Sequence, residues 1–344
     1  MKILSLLLLI SLLSVNTSAQ KNDSIIFYRL ENLYQAKKQI FEKVWPLASD
    51  TAFSIPFIYY MPTACYAVNP RQNFIQEFKA ELKFQNKELK IYKTPSRIDS
   101  FPFHMETYAS DRPEDYNYLY PYGKGSSLEE VRKFAPDLAV EFWAGMIVHE
   151  IFHGYQLRHE PYLQHLLKTK VVYAVINDSL QSYYRNYDWF KQNIDEENSL
   201  ILKAIEEKNK KNTDSLIRRM FTIRQSRRER TLDTVNISID LYEKSFETME
   251  GTARYIEVEV SMNFHKLPIS NKLKQLDKNY NKIRSTNPIS DPEWNYKTEV
   301  SQKYTYATGY NMARLLDKLG IEYKSRLFRE SELTLEDILR KWIK

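Results

Sequence analysis

Cysteine is almost missing from this chain of 344 residues: Cys65 stands alone, so no internal disulfide can form. A chain of this length does not need one, because roughly 325 residues bury a sizeable core. No base lies near Cys65 in the sequence to activate it, and it is expected to act as a small buried apolar residue. Glycine is scarce, at 7 residues, and long charged-apolar repeats dominate, which favours helices. Long apolar runs are missing beyond the N-terminus, and the run at 3–13 is too short for a comfortable membrane span. With Lys2 before it and Thr17-Ser18-Ala19 after it, that run reads as a secretory signal covering residues 1–19. No cysteine lies at the expected cut, so a lipoprotein anchor is not indicated. The mature chain is expected to be exported, periplasmic or extracellular, with no membrane span.

An excess of one charge is also missing. The formal net charge of +6 does not demand nucleic acid. Arg218, Arg219, Arg224, Arg227, Arg228 and Arg230 alternate with apolar residues and Glu229, as on a solvated helix face. No nucleic-acid-binding module is recognisable.

The pattern predicts a helix over 23–47, an extended segment over 53–61, and a region over 74–93 that suits helix in its first half and strand in its second. A loop rich in proline, aspartate and tyrosine is expected between Pro95 and Lys124, long enough to border a site. Ser126-Ser127-Leu128-Glu129-Glu130 starts a helix with capping-box character. After Pro136, Asp137 is expected to cap a helix over 137–158. The stretch 162–233 is almost wholly helical in pattern, with a turn at 209–212, and reads as a helical hairpin inserted at about 178–233. A helix over 236–264, an irregular polar stretch over 266–303, and helices over 307–319 (closed by Gly320) and from 335 (capped by Thr334) complete one domain, 20–344.

The helix over 137–158 carries what is most informative: His149-Glu150-Ile151-Phe152-His153, an H-E-x-x-H motif. Residues four apart on a helix share a face. Two imidazoles at that spacing can reach one tetrahedral zinc ion, and the acid beside the first can act on a metal-bound water. The third ligand is open. His159 fits the metzincin spacing, but Gln156 stands where a glycine would end the helix and turn the chain back. If the helix continues, His159 points away from the metal face. An acid about 19 residues past the motif is absent, since 169–174 reads Thr-Lys-Val-Val-Tyr-Ala. Glu250 is the third candidate and the preferred one. It precedes Gly251 and Ala253, small residues that allow close helix packing, and Glu247 and Glu257 share nearly its face as candidate partners for a histidine's other nitrogen.

His149-Glu150-x-x-His153 followed far downstream by Glu250-Gly251-x-Ala253-x-Tyr255 resembles the zincin-type metallopeptidases of the gluzincin group, including exported bacterial members. The resemblance implies an α+β, predominantly helical zincin-like fold with a small N-terminal β part. It further implies one Zn²⁺ held by His149, His153 and Glu250, with Glu150 as general base acting on a peptide or protein substrate. The stretch Tyr304–Tyr310 resembles the Tyr-x-x-Gly segments of such enzymes, which makes Tyr306 the first candidate to stabilise the oxyanion and Tyr310 the second. A non-catalytic secreted binding protein and a zinc hydrolase acting on a non-peptide amide or ester are the alternatives.

Overall fold

The computed structural model describes residues 2–51, 54–61, 64–94, 105–108, 122–168, 180, 183–184, 186–281 and 304–343, with only the backbone of 2–22. The side chains of the proposed signal segment, most of the 95–124 loop, the start of the proposed insertion and residues 282–303 lie outside the described residues.

A six-stranded mixed sheet sits among helices, an α+β arrangement that is mostly helical. The strands β1 (Phe57–Tyr60), β2 (Cys65–Val68), β3 (Glu81–Gln85), β4 (Lys90–Thr94), β5 (Met105–Tyr108) and β6 (Tyr122–Ser126) lie in the order β3-β4-β2-β1-β6-β5. Among the described strands only β1 and β6 pair in parallel, Phe57 opposite Gly123. Phe-Ile-Tyr-Tyr in β1 is buried on both faces, as suits a central strand. Phe57 and Tyr59 join the main core, whereas Ile58 and Tyr60 face a smaller cluster with Cys65, Ala67 and Phe74. Cys65 is buried there.

Of the helices, α1 (Lys2–Val44) runs through the expected start at residue 23, and its buried Ile26, Leu30, Leu33, Ile40 and Phe41 follow helical spacing. After α2 (Gln72–Glu77), α3 (Leu128–Phe134) begins where Ser127 accepts a hydrogen bond from the Glu130 amide at 3.2 Å. The motif helix, α4 (Val140–Leu157), starts three residues later than expected, and Asp137 does not cap it. The chain turns at 135–138 instead, with the Leu138 amide bonded to the Ala135 carbonyl at 3.0 Å, and Arg132 Nε donates to the Leu138 carbonyl. Trp143 on α4 is fully buried and donates from Nε1 to the Ser126 carbonyl at 3.1 Å, tying the helix to β6.

The helices α5 (Asp188–Glu206) and α6 (Lys210–Val235) form the expected antiparallel pair, with Asn209 capping α6. Its inner side is not solvated. Leu200, Ile201, Ile217 and Met220 belong to the main core, and Arg224, Arg227 and Arg228 are 0%, 1% and 6% exposed. The basic run is thus half core: these three guanidiniums meet acids from other helices, which the spacing of arginines along one helix cannot disclose. The remaining helices are α7 (Asp240–Asn263), α8 (Asn271–Leu276), α9 (Tyr304–Lys318) and α10 (Leu335–Trp342). Gly320 closes α9 at φ 67°, and Thr334 caps α10.

The loop expected between Pro95 and Lys124 yields two strands among its described parts, β5 and β6. They are only four and five residues long, and glycines in β6 hide their pattern. β5 packs beside α4 and so borders the motif.

Candidate metal centre

Side chains on α4 and α7 converge. His149 Nε2 and His153 Nε2 lie 3.0 Å apart, and Glu250 Oε2 is 3.3 Å from each. All three residues are buried. A tetrahedral ion with bonds of about 2.1 Å has ligand atoms about 3.4 Å apart, so this triangle has the size of one face of such a coordination sphere. Glu250 Oε2 is out of water and accepts no hydrogen bond. A buried carboxylate oxygen left so needs positive charge.

The opposite nitrogens explain the orientation. His149 Nδ1 lies 3.1 Å from Glu257 Oε2, and Glu257 is in turn paired with Arg254. His153 Nδ1 lies 2.7 Å from Gln156 Oε1. With both Nδ1–H groups donated outward, the Nε2 lone pairs face the triangle. Three acceptor atoms so close repel unless a positive charge joins them. Protons can supply it: burial opposes charging His149, yet Glu250 and Glu257 hold its imidazolium form up to about 10. Against burial, Glu250 raises His153 as well, and the two histidines hold Glu250 far below the usual carboxylate range. A divalent cation supplies the same charge to all three ligand atoms at once, so the donor set fits a metal.

Glu150 sits next to the triangle and is half-buried. Thr107 on β5 donates from Oγ1 to the Glu150 carbonyl at 2.6 Å and lies 3.0 Å from its Oε2. Burial lifts the Glu150 pKa above the ordinary value, against the opposing pull of the two histidines, which makes its carboxylate a better proton acceptor. The Tyr306 ring lies parallel to His149 with centroids 6.1 Å apart. Burial and the Glu250 charge push its phenol far above the usual range, so it remains a proton donor. Tyr310 points elsewhere, packing against Tyr255 and Arg314.

Glu250 and Tyr306 come together because α7 crosses α9 at Gly251 and Gly309. A Cβ on either glycine would collide with the backbone of the other helix. Gly251 therefore serves the approach of α9, while Gly145 on α4 admits α7, its missing Cβ being the space beside Ser261 and the Glu257 carbonyl.

Of the two acids expected to support a histidine, Glu257 does so and Glu247 does not. Glu247 is turned away from the histidines, bound through both oxygens to Arg224 at 2.8 Å and to the Thr308 hydroxyl. Only about 60° around α7 from Glu250, it is drawn off by these partners on α6 and α9. His159 is likewise outside the centre: its Nδ1 meets the Tyr155 carbonyl at 2.9 Å, and its ring packs on Tyr155. Sequence reasoning missed Thr107 and Gln156. Neither type signals a role by itself: Thr107 acts on a residue 43 positions away, and the groups that orient the Gln156 amide toward nearby His153 are on α7. Comparison with protein-family models, curated proteins and solved structures finds no match to this chain.

Proposed function

We propose that the protein is an exported zinc-dependent peptidase of zincin-like fold, with residues 1–19 as its leader. The observation that carries the proposal is the buried, unbonded Glu250 oxygen standing 3.3 Å from two outward-anchored imidazoles. His149, His153 and Glu250 would hold the zinc. When bound, zinc supplies a Lewis acid that polarises a carbonyl and acidifies water.

The chain's own groups cover the remaining needs of amide hydrolysis. Glu150, with its pKa raised by burial, takes a proton from the attacking water and passes it to the departing amine. Thr107 holds the Glu150 main chain through its hydroxyl and sits 3.0 Å from the carboxylate, so β5 positions this residue. Tyr306 keeps its proton and can donate to the oxygen that gains charge as the carbonyl is attacked. A peptide suits the surroundings: β5 ends the sheet among the described residues, and an extended peptide can add to a sheet edge through main-chain hydrogen bonds. Among the described residues no helix is long and apolar enough to cross a membrane.

Metal analysis of the purified protein tests the proposal, together with hydrolysis of a mixed peptide library. One zinc per chain, retained in Glu150→Gln while cleavage disappears, is the expected result. Absence of zinc at stoichiometric level from the wild-type protein overturns it.

A further inference from the structure

Gln156 is fully buried, and its side-chain amide has a partner at each polar position. Its Oε1 meets His153 Nδ1 at 2.7 Å, and its Nε2 lies 2.9 Å from both the Met249 carbonyl and Thr252 Oγ1. The orientation of the amide is not free. The Met249 carbonyl can only accept, and the Thr252 hydroxyl gives its one proton to the Thr248 carbonyl at 2.7 Å, so it too accepts from Gln156. The NH₂ end must face α7, and Oε1 must face His153. That in turn demands a proton on His153 Nδ1 and turns Nε2 toward the triangle.

We propose that Gln156 is a positioning residue that sets two zinc ligands from two helices with one amide. On α4 it selects the tautomer of His153. On α7 it anchors the carbonyl immediately before Glu250, fixing how far that carboxylate reaches. The inference rests on the zinc reading above and deepens it. It also gives a physical reason for glutamine where metzincins have glycine: the helix has to continue through 156 to bring the amide between the two ligand helices, and His159 is thereby carried away. A carboxylate at 156 could still accept from His153, but it could not donate to Met249, and it would add negative charge beside Glu250.

Two measurements test this: zinc affinity by competition with a chromophoric chelator, and the low-field proton spectrum of the zinc-free protein. Supporting outcomes are a slowly exchanging imidazole Nδ1–H signal in the wild type that Gln156→Met loses, and a 10–100-fold weaker zinc affinity in that variant, the usual size of such outer-shell effects. Gln156→Glu is expected to keep the signal and still bind zinc more weakly, since it retains the hold on His153 and loses the tether to Met249. It also serves if Gln156→Met does not fold. Zinc affinity within threefold of wild type in both variants overturns the proposal. So does survival in Gln156→Met of the His153 Nδ1–H signal, told from that of His149 beside Glu257 by its loss in His153→Ala. If the wild type binds no zinc, the zinc reading fails separately, and the proton signal alone decides whether Gln156 holds His153.

Discussion

Replacing Arg224 by methionine removes the centre of a buried ion cluster while keeping most of its apolar stem. The guanidinium donates to Glu197 at 2.9 Å, to both oxygens of Glu247 at 2.8 Å and to Glu336 at 3.0 Å. Arg227 and Arg228 share the cluster, bonding Glu197, Glu243 and Glu336. The buried carboxylates Glu197, Glu243, Glu247 and Glu336 thus face three buried guanidiniums and the more exposed Arg340, and the substitution removes one of the buried three. Removing one partner of a buried pair costs about 3–5 kcal/mol, because the other charge stays out of water without compensation. Against a typical total of about 5–15 kcal/mol, that is a large fraction. At about 2 °C per kcal/mol for a long chain, the melting temperature should fall by about 6–10 °C. Calorimetry at pH 7.5 and fixed zinc measures it, with Arg219→Met as control. Arg219 pairs with Glu196 on the surface, and exposed pairs contribute about 0–1 kcal/mol. Equal, small shifts in the two variants would refute the reasoning, because they would mean that the cluster is relaxed or solvated. A second effect is expected at the centre. Glu247 lies one turn before Glu250, so Arg224→Met should also weaken zinc binding, and Arg219→Met should not.

Acid stability should reflect the same cluster. Burial opposes ionisation of Glu243, but Arg227 and Arg228 outweigh it and bring its pKa down to about 2 from 4.5; a depressed carboxylate contributes in full above 4.5 and loses that contribution as pH falls toward 2. Denaturant unfolding between pH 6 and 2 should therefore lose up to about 3 kcal/mol that Glu243→Gln does not lose, and parallel curves for the two proteins would count against the assignment. Gly251→Ala should destabilise by about 1–3 kcal/mol through overpacking on Gly309, and a thermal scan showing no loss would mean that α7 and α9 part easily. Thr107→Val should lower kcat on the order of tenfold through misorientation of Glu150, with KM and zinc content retained and Thr107→Ser restoring the rate; a change in KM alone would place Thr107 in substrate binding instead.

What was legible in the sequence is what depends on short spacing. The i, i+4 histidines needed only a helix, and apolar residues from Val140 to Val148 supplied one. Gly251 and Ala253 beside Glu250 marked a helix that must pack closely, although the partner at Gly251 proves to be α9. The α+β class came as an implication of the family resemblance, and the abundance of helical patterns and the aromatic β-branched segment that became β1 agree with it. The rest depended on partners brought together by folding. Arg224, Arg227 and Arg228 look solvated when only their own helix is seen, since Glu197, Glu243 and Glu336 come from α5, α7 and α10. Asp137 had the chemistry of a cap, but the turn after Pro136 placed it before the helix start. Thr107 and Gln156 carry no pattern, because the hydroxyl meets Glu150 43 positions away and the amide is turned toward nearby His153 only by Met249, 93 positions away.

The ion cluster also orders the assembly of the chain in time. Glu336 bonds Arg224 across 112 positions, and Glu197 bonds Arg227 across 30. During synthesis the α5–α6 pair therefore emerges with its guanidiniums under-compensated, and long-range closure is slow compared with local pairing. Glu243 and Glu247 on α7 bring the carboxylates level with the guanidiniums, and the last hydrogen bonds of Arg224 and Arg228 wait for Glu336 on α10. Thr308 on α9, two residues from Tyr306, binds Glu247 in the same cluster, so the groups around the metal centre settle only after that late closure. A nascent chain interrupted before α10 is expected to hold His149 and His153 without a firmly seated Glu250, so that the three candidate ligands come together only once the polypeptide extends through residue 336.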